Sequence, residues 1–583
     1  MIRPRFGKLA YFHIIFTALA IVSCTHYDWS SKSGSRDYDS DRDTSFLPPE
    51  SYEEEVAYGE REPIERENCE ESGAVIPFSS PYQPNAQIRT QVSNDLSNLS
   101  ITDKVGQMVG TDAAGGANTS DIFRQMDNVE KGIRGIKFRD GPRGLNLVTD
   151  RQPGHNGYAT AFPVSMSRGA SFDMNLEYRI GQAHASETVA SGRHLMLAPT
   201  VNLLRHPAWG RAQETYGEDP YHLGRMGTAY TLGVQQYIPA CVKHYAGNNV
   251  ENNRAGLNSE MDEQTLREIY SRAFEMIIKD GGVACVMAAY NLLNGEKCTE
   301  NEHLLTTILR DDFGFEGFVL SDWWAMSNGN IATRLPGEYQ TVAIKGVTAG
   351  MDMELPWALN YRELPSLVAG GQVSETYINQ SVSRILEQKY RFKIADLNEK
   401  QFGLKPSTVE WDRQTTTIID TGDVHLKLAE EAALKGAVLL KNENNTLPIK
   451  PTGTSFTVAV LGATVDFTLT AISAAGQVNY AVDVVTGDMG SSMVVSDPTR
   501  STGPFDGIKA VASEIDPNIN VIRGSVAADA AGADFVVVVA GLNAMDEGEE
   551  YTGAGDRSSF ALDAKIASTP QIDLIQSAAA LGK

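Results

Sequence analysis

Cysteine is scarce. The 583-residue chain has five, Cys24, Cys69, Cys241, Cys285 and Cys298, with no CxxC pair and no metal-ligand spacing. No metal site is expected, and Cys241 and Cys285, set in apolar runs, read as buried thiols. Positive charge is also short. Lys and Arg number 50 against 74 Asp and Glu, a net charge of −24. That balance excludes nucleic acid, whose phosphates need a basic surface, and suits an enzyme acting on a neutral ligand. Phosphate loops are missing as well. Gly487-Asp488-Met489-Gly490 has no Lys-Ser or Lys-Thr after it, and no GxGxxG opens a helix. These read as turn glycines, and no cofactor is expected.

Long apolar runs are confined to the start. Arg3, Arg5 and Lys8 precede an apolar stretch, 9–22, too short for a transmembrane helix. It ends Ile21-Val22-Ser23-Cys24, which resembles a bacterial lipobox. The resemblance implies a signal peptide over 1–24, cleavage before Cys24 and lipidation of its thiol. Acyl chains would then be the chain's only membrane contact, giving an exported lipoprotein facing the periplasm or cell surface. Residues 25–85, with Ser51-Tyr52-Glu53-Glu54-Glu55 and few aliphatics, read as a disordered acidic tether.

With 42% apolar residues there is material for well-filled cores, and the length calls for more than one domain. Roughly helical spacing runs through 96–109. From there, over 86–395, short apolar runs alternate with amphipathic helices. Strands are expected at 133–136, 195–198, 240–243, 283–287 and 318–320, and helices at 175–191, 223–237, 263–280 and 301–312. Repeated βα units over about 300 residues predict an α/β fold with a (β/α)8-type, TIM-like barrel. An open doubly wound sheet satisfies the same periodicity. Residues 396–425 read as a linker. A second α/β domain, a sandwich over 426–583, should hold helices at 426–436 and 572–581 and strands at 437–441, 456–461 and 533–540. It has fewer strands than such a domain normally needs, and reads as incomplete.

The stretch Phe318-Val319-Leu320-Ser321-Asp322-Trp323-Trp324 ends an apolar strand on a carboxylate beside two indoles. In a barrel that is where chemistry is kept. Flat aromatic faces can cover a sugar's C–H surface while an indole N–H donates. A helix-capping Asp is the plain alternative. Other expected strand ends carry Asp140, Arg211, Lys243-His244, Arg254 and Tyr290-Asn291. Singly, each has a bland reading as a turn, a salt bridge or a structural His. Converging on one rim, they suit a polyhydroxylated ligand.

These clusters resemble glycoside hydrolase family 3, in its β-glucosidase-like branch. The resemblance rests on Asp140-Gly141-Pro142; Gly210-Arg211 through Glu218-Asp219-Pro220; Val242-Lys243-His244-Tyr245 with Asn248, Asn249, Glu251 and Arg254; 262–268; Met287 through Asn291 with Asn294-Gly295; 314–323; and Val438-Leu439-Leu440-Lys441-Asn442. It implies a retaining glycosidase with Asp322 as nucleophile and a second carboxylate as acid/base, about 5–5.5 Å away. The acid/base would come from the second domain. Gly548-Glu549-Glu550-Tyr551 ahead of Asp556-Arg557 points to Glu549, with Glu547 and Glu550 as rivals. Acidic neighbours would raise the pKa of Glu549 by like-charge repulsion. Asp140, Arg211, Lys243, His244, Arg254, Met287, Tyr290 and Trp323 match positions that bind the terminal sugar.

The departures are informative. Asn146 stands where many relatives carry Arg, and Lys243-His244-Tyr245-Ala246-Gly247-Asn248 lacks the Asp-His pair of the N-acetylglucosaminidase branch. The resemblance therefore implies an exo-acting β-glucosidase acting on β-glucosides or oligosaccharides. The alternatives are a β-xylosidase or broad exo-β-glucanase, or an inactive surface glycan-binding protein.

Overall fold

A computed structural model describes residues 85–111, 122–147, 158–327, 337–397, 409–412, 417–420, 422–452, 455–462, 470–472, 480–482, 490–494, 496–542, 546–562 and 570–583. The signal segment, Cys24, most of the tether, Gly487 to Met489 and Met545 lie outside the described residues.

Short runs such as Leu195–Leu197 and Phe318–Ser321 bury every residue. Strands covered on both faces need such runs. Among the described residues, seven parallel strands lie in one sequence of neighbours. Phe138–Asp140 pairs with Leu195–Leu197, which is bridged through Met196 and Ala240 to Cys241–Tyr245. Cys285–Ala288 and Phe318–Ser321 follow. A bridge from Leu320 to Met353 leads to Glu354–Trp357, which pairs with Val109–Thr111. Helices Met174–Ala190, Pro220–Val234, Arg272–Gly281, His303–Asp312 and Glu338–Ala349 form crossovers, and Glu375–Arg391 follows the strand Glu354–Trp357. Their ends carry ordinary stop and start signals. Asp219 accepts from His222 N at 2.6 Å ahead of Pro220. Gly282, at φ 55°, closes Arg272–Gly281 in the left-handed conformation.

Several expectations are corrected here. The stretch 133–136 is no strand: Ile133 bridges Asn128 and Asp396 in a paired loop. The strand is Phe138–Asp140, disguised by the buried Arg139, whose Nη1 donates to Asn146 O at 2.8 Å. The single helix expected over 96–109 is two, Ala86–Asn98 and Ile101–Gly106. Ser100 breaks them by starting the second with a capping box to Asp103. Cys241 and Cys285 are not thiols. They face each other in register on adjacent strands, with Cα atoms 4.3 Å apart, and form a disulfide. The stretch read as a linker holds an antiparallel pair, Val409–Asp412 with Thr417–Asp420. Residues 437–441 form no strand. Val438, Leu439 and Leu440 are 51%, 64% and 45% exposed, and among the described residues no strand takes their hydrogen bonds.

The second domain centres on Phe456–Leu461, flanked in parallel by Ile519–Gly524 and Phe535–Val538. Alternation along the central strand makes two layers. Ala459 and Leu461 pack with Leu574 and Ala578 of the helix Gln571–Ala579. Phe456, Val458 and Val460 pack with Phe505 of the helix Pro504–Ile515.

The helix Val424–Gly436 lies on the barrel helix Met174–Ala190. Glu431 takes both Nη atoms of Arg179, at 2.7 and 2.6 Å, and His425 Nδ1 donates to Glu187 Oε1 at 2.8 Å. Burial works against the His425 charge, but Glu187 outweighs it and raises the pKa above the usual value. A raised histidine contributes stability that is fully present below its unfolded pKa and is lost as pH rises through the folded one. His425→Ala strands the buried Glu187, a change that costs about 3–5 kcal/mol for a broken buried pair. Thermal unfolding should show a lower Tm for the variant, with a gap from the parent that is wider at pH 5.5 than at pH 8.5. A gap that does not narrow toward pH 8.5 would refute the charged pairing.

Candidate active site

The polar side chains converge at the C-terminal ends of the barrel strands. Asp140 is the last residue of its strand, Lys243 and His244 sit near the end of theirs, and Asp322 follows Ser321 directly. Lys243 Nζ donates to Asp140 Oδ1 at 3.1 Å. Burial pushes the Asp140 carboxyl up to about 6, against the lowering effect of Lys243. Asp322 Oδ1 accepts from Trp323 N at 2.7 Å. Its Oδ2 is buried with no hydrogen-bond partner, 3.5 Å from His244 Nε2. Burial raises the Asp322 pKa, as does the charge of Glu549, while Arg254 and Arg211 work against them.

His244 is held neutral by burial and by Arg211, Lys243 and Arg254. Its backbone N and its Nδ1 both donate to Asn202 Oδ1, at 2.9 and 3.1 Å, and Asn202 Nδ2 returns a bond to His244 O at 2.9 Å. With Nδ1 as donor, Nε2 keeps its lone pair for a hydroxyl. Tyr290 lies under the Arg254 guanidinium, 4.0 Å from ring centroid to Cζ. Burial, then Asp322 beside it, lifts its phenol well above 10.

Glu549 arrives from the second domain. Its Oε1 accepts from Arg254 Nη1 at 2.9 Å and from Arg211 Nη1 at 3.4 Å. Its Oε2 accepts from Ser491 N at 2.8 Å and Ser491 Oγ at 2.6 Å. Burial alone would raise this carboxyl. Arg211 and Arg254, then Ser491, outweigh it and hold the pKa well below the usual carboxylate range. That corrects the expectation of a raised pKa: the groups facing Glu549 are guanidiniums, not its acidic sequence neighbours. Of the rivals, Glu547 pairs with Arg557 Nε at 2.7 Å, and Glu550 is half exposed and accepts from Asn253 N at 2.6 Å.

Two carboxylates from separate domains thus face one rim of Asp, Lys, His, Arg and Tyr. The family models agree with the strands that carry them. "Glycosyl hydrolase family 3 N terminal domain" matches residues 86–388, and "Glycosyl hydrolase family 3 C-terminal domain" matches 437–583. The chain belongs to glycosyl hydrolase family 3. It is 34% identical over 366 residues to thermostable beta-glucosidase B of Acetivibrio thermocellus, covering 62% of this chain and 44% of that protein. A beta-xylosidase of Formosa agariphila is 30% identical over 401 residues, covering 64% of this chain and 51% of that protein. Among solved structures, beta-glucosidase 3B from Thermotoga neapolitana in complex with α-D-glucose superposes with a TM-score of 0.59 at 28% identity, over 74% of this chain and 55% of that one. The matched region spans less than half of the Acetivibrio relative. The family's architecture is a TIM barrel followed by an α/β sandwich, and the two sets of strands here are built on it.

Within this family 3 fold the expected site residues come together, with two adjustments. Trp323 is 7% exposed against Phe123 and Phe138, and its Nε1 donates to Ile122 O at 3.1 Å, so that indole N–H is not free for a ligand. Met287 is buried in the barrel core beneath the rim. Sequence reasoning missed Asn202, Ser491 and the role of Glu251, whose Oε2 accepts from Arg254 at 2.9 Å and whose carboxyl burial pushes up to about 7. Ser491 sits in a loop that also reaches Asn146 through Gly490 O and Gln213 through Ser492 Oγ. No local motif marks it.

Ser491→Ala removes one donor from ionised Glu549 and raises its proton affinity. Glu549 faces Arg211 and Arg254 as well as the charges of Asp322, Asp140 and Glu251, none of which this change removes. If Glu549 protonates a bound glycoside, the alkaline limb of kcat, which reports the enzyme–substrate complex, should therefore move to higher pH. A stationary or lowered limb would show that Ser491 does not control that proton.

Proposed function

We propose that the protein is a retaining, exo-acting β-glucosidase that releases terminal non-reducing β-D-glucosyl residues from β-glucosides or oligoglucans. The observation that carries this reading is the Asp322 carboxylate, buried with Oδ2 unpartnered and set opposite a second carboxylate from another domain. Asp322 Oδ2 attacks the anomeric carbon, and the bond to the leaving oxygen breaks as Glu549 gives that oxygen a proton. Glu549 then takes a proton from water, which attacks the same carbon and releases Asp322. Asp140 and Lys243 bind a pair of hydroxyls, and His244 Nε2 accepts from another. Tyr290 stands beside the nucleophile.

Glu549 must carry a proton for the first step, yet two guanidiniums hold it ionised. Sugar hydroxyls that engage Arg211 and Arg254 would draw charge away from Glu549 and raise its proton affinity on binding. The same residue, ionised, is suited to the second step.

The resemblance of Asp140-Gly141-Pro142 to the family's motif favours a glucosyl over a xylosyl unit, while the Formosa relative keeps a β-xylosidase as the second reading. The test is turnover of p-nitrophenyl β-glucoside, β-xyloside and N-acetyl-β-glucosaminide. The glucoside should lead by about tenfold or more, the scale at which a pocket discriminates a missing carbon substituent. A leading xyloside would replace the substrate, and silence on all three would favour an inactive glycan-binding protein. The segment boundaries, export and lipidation at Cys24 belong to the same proposal. Metabolic labelling with a palmitate analogue, lost in Cys24→Ser, tests them.

A further inference from the structure

The loop that brings Glu549 to the barrel is fastened by a carboxylate that touches no reacting group. Asp556 Oδ1 accepts from Gly210 N at 2.8 Å and Glu251 N at 3.0 Å, and Oδ2 accepts from Glu251 N at 3.0 Å and Asn252 N at 2.8 Å. The donors belong to two barrel loops, one after Leu195–Leu197 and one after Cys241–Tyr245. Those loops also supply the guanidiniums on Glu549: Gly210 precedes Arg211, and Glu251 pairs with Arg254. One carboxylate therefore ties the Glu549 loop to both segments that grip Glu549.

The surrounding contacts point the same way. Asp556 N donates to Asn252 Oδ1 at 3.1 Å, Arg557 N to Ala208 O at 2.9 Å and Arg557 Nη2 to Pro207 O at 2.7 Å. Glu550 N donates to Glu251 Oε2 at 3.2 Å. The backbones meet so closely at Gly210 that a Cβ there would stand 2.3 Å from Gly548 O and 2.5 Å from Gly555 O. A carboxylate can accept several N–H bonds at once, each of them charge-assisted, which a neutral acceptor cannot match.

We propose that Asp556 is the positioning residue that sets Glu549 against Asp322, by clamping the Glu549 loop to the backbone amides of Gly210, Glu251 and Asn252. The proposal rests on the reading of Glu549 as acid/base. A displacement of about 1 Å at such a group costs on the order of 10²-fold, and the loss falls only on reactions that need its proton.

The experiment measures kcat/KM of Asp556→Ala, Asp556→Asn and Glu549→Ala in the full chain. The substrates are phenyl β-glucoside, whose leaving group needs a proton, and 2,4-dinitrophenyl β-glucoside, whose leaving group does not. Asp556→Ala should lose about 10- to 100-fold on the phenyl substrate and less than about threefold on the dinitrophenyl one. Asp556→Asn, which keeps one acceptor oxygen, should fall between Ala and the parent. The dinitrophenyl rate also reports whether the variants fold. An equal loss on both substrates, or no loss on either, overturns the clamp. If Glu549→Ala shows no leaving-group dependence, the acid/base assignment fails and takes the clamp with it. If Glu549→Ala shows it and Asp556→Ala does not, the clamp alone fails.

Discussion

Asp322→Asn should lower kcat/KM on aryl β-glucosides by at least about 10⁴-fold, the scale seen when a covalent nucleophile is removed. The change is nearly isosteric. The amide keeps an oxygen for Trp323 N, so the backbone turn after Phe318–Ser321 stays in place. What disappears is the charge on Oδ2, which burial leaves without a hydrogen-bond partner 3.5 Å from His244 Nε2. A neutral amide neither attacks the anomeric carbon nor steadies the positive charge that develops there. Labelling by 2-deoxy-2-fluoro glucosides should vanish with activity, and KM should change little. The unfolding midpoint should hold or rise, because a buried carboxylate of raised pKa opposed by Glu549 is a stability cost kept for function. Activity within about tenfold of the parent would sink the nucleophile assignment.

Glu549→Ala should produce the second large effect, and a selective one. Loss of a general acid costs about 10²- to 10⁴-fold where the leaving group needs a proton. Phenyl β-glucoside should therefore slow by that factor, while the dinitrophenyl substrate should still form the glycosyl-enzyme. Without its base, that intermediate should accumulate until a small anion such as azide enters and yields β-glucosyl azide. A pH shift should accompany it. Glu549 raises the Asp322 pKa, while Arg211 and Arg254 lower it. Deleting Glu549 removes the first influence and leaves both guanidiniums, still paired with Glu214 and Glu251, acting on Asp322. The acid limb of kcat/KM on the dinitrophenyl substrate should then move to lower pH. Equal losses on both substrates, with the limb unmoved, would mark Glu549 as a structural partner of the arginines.

Sequence disclosed these two residues unequally. Asp322 ends an unbroken apolar strand, and its setting is local: the strand, the following tryptophans and the turn are consecutive. The strands Leu195–Leu197, Cys241–Tyr245, Cys285–Ala288 and Phe318–Ser321 were legible for the same reason. Glu354–Trp357 was hidden by Pro356, a residue that demotes a strand on paper. Phe138–Asp140 was hidden by Arg139, a buried guanidinium whose Nη1 donates to Asn146 O. For Glu549 the nearest residues in sequence are acids, but the charges that decide its proton come from Arg211 and Arg254, in distant loops. Electrostatics follows space, and a linear reading sees only the chain neighbours. The Cys241–Cys285 bond was illegible because strand register, not spacing, brings the sulfurs together.

The arginine pair also has a consequence for how the molecule comes into being. Arg211, Arg254 and Asp322 all leave the ribosome before Glu549. A newly folded barrel therefore holds Arg211 against Glu214 and Arg254 against Glu251, while the carboxylate that both arginines also contact, Glu549, has not yet been synthesised. The sandwich domain supplies it on arrival. Docking of the two halves then adds one more carboxylate to an already paired rim, and Glu549 and Asp322 share a site only once both halves have folded.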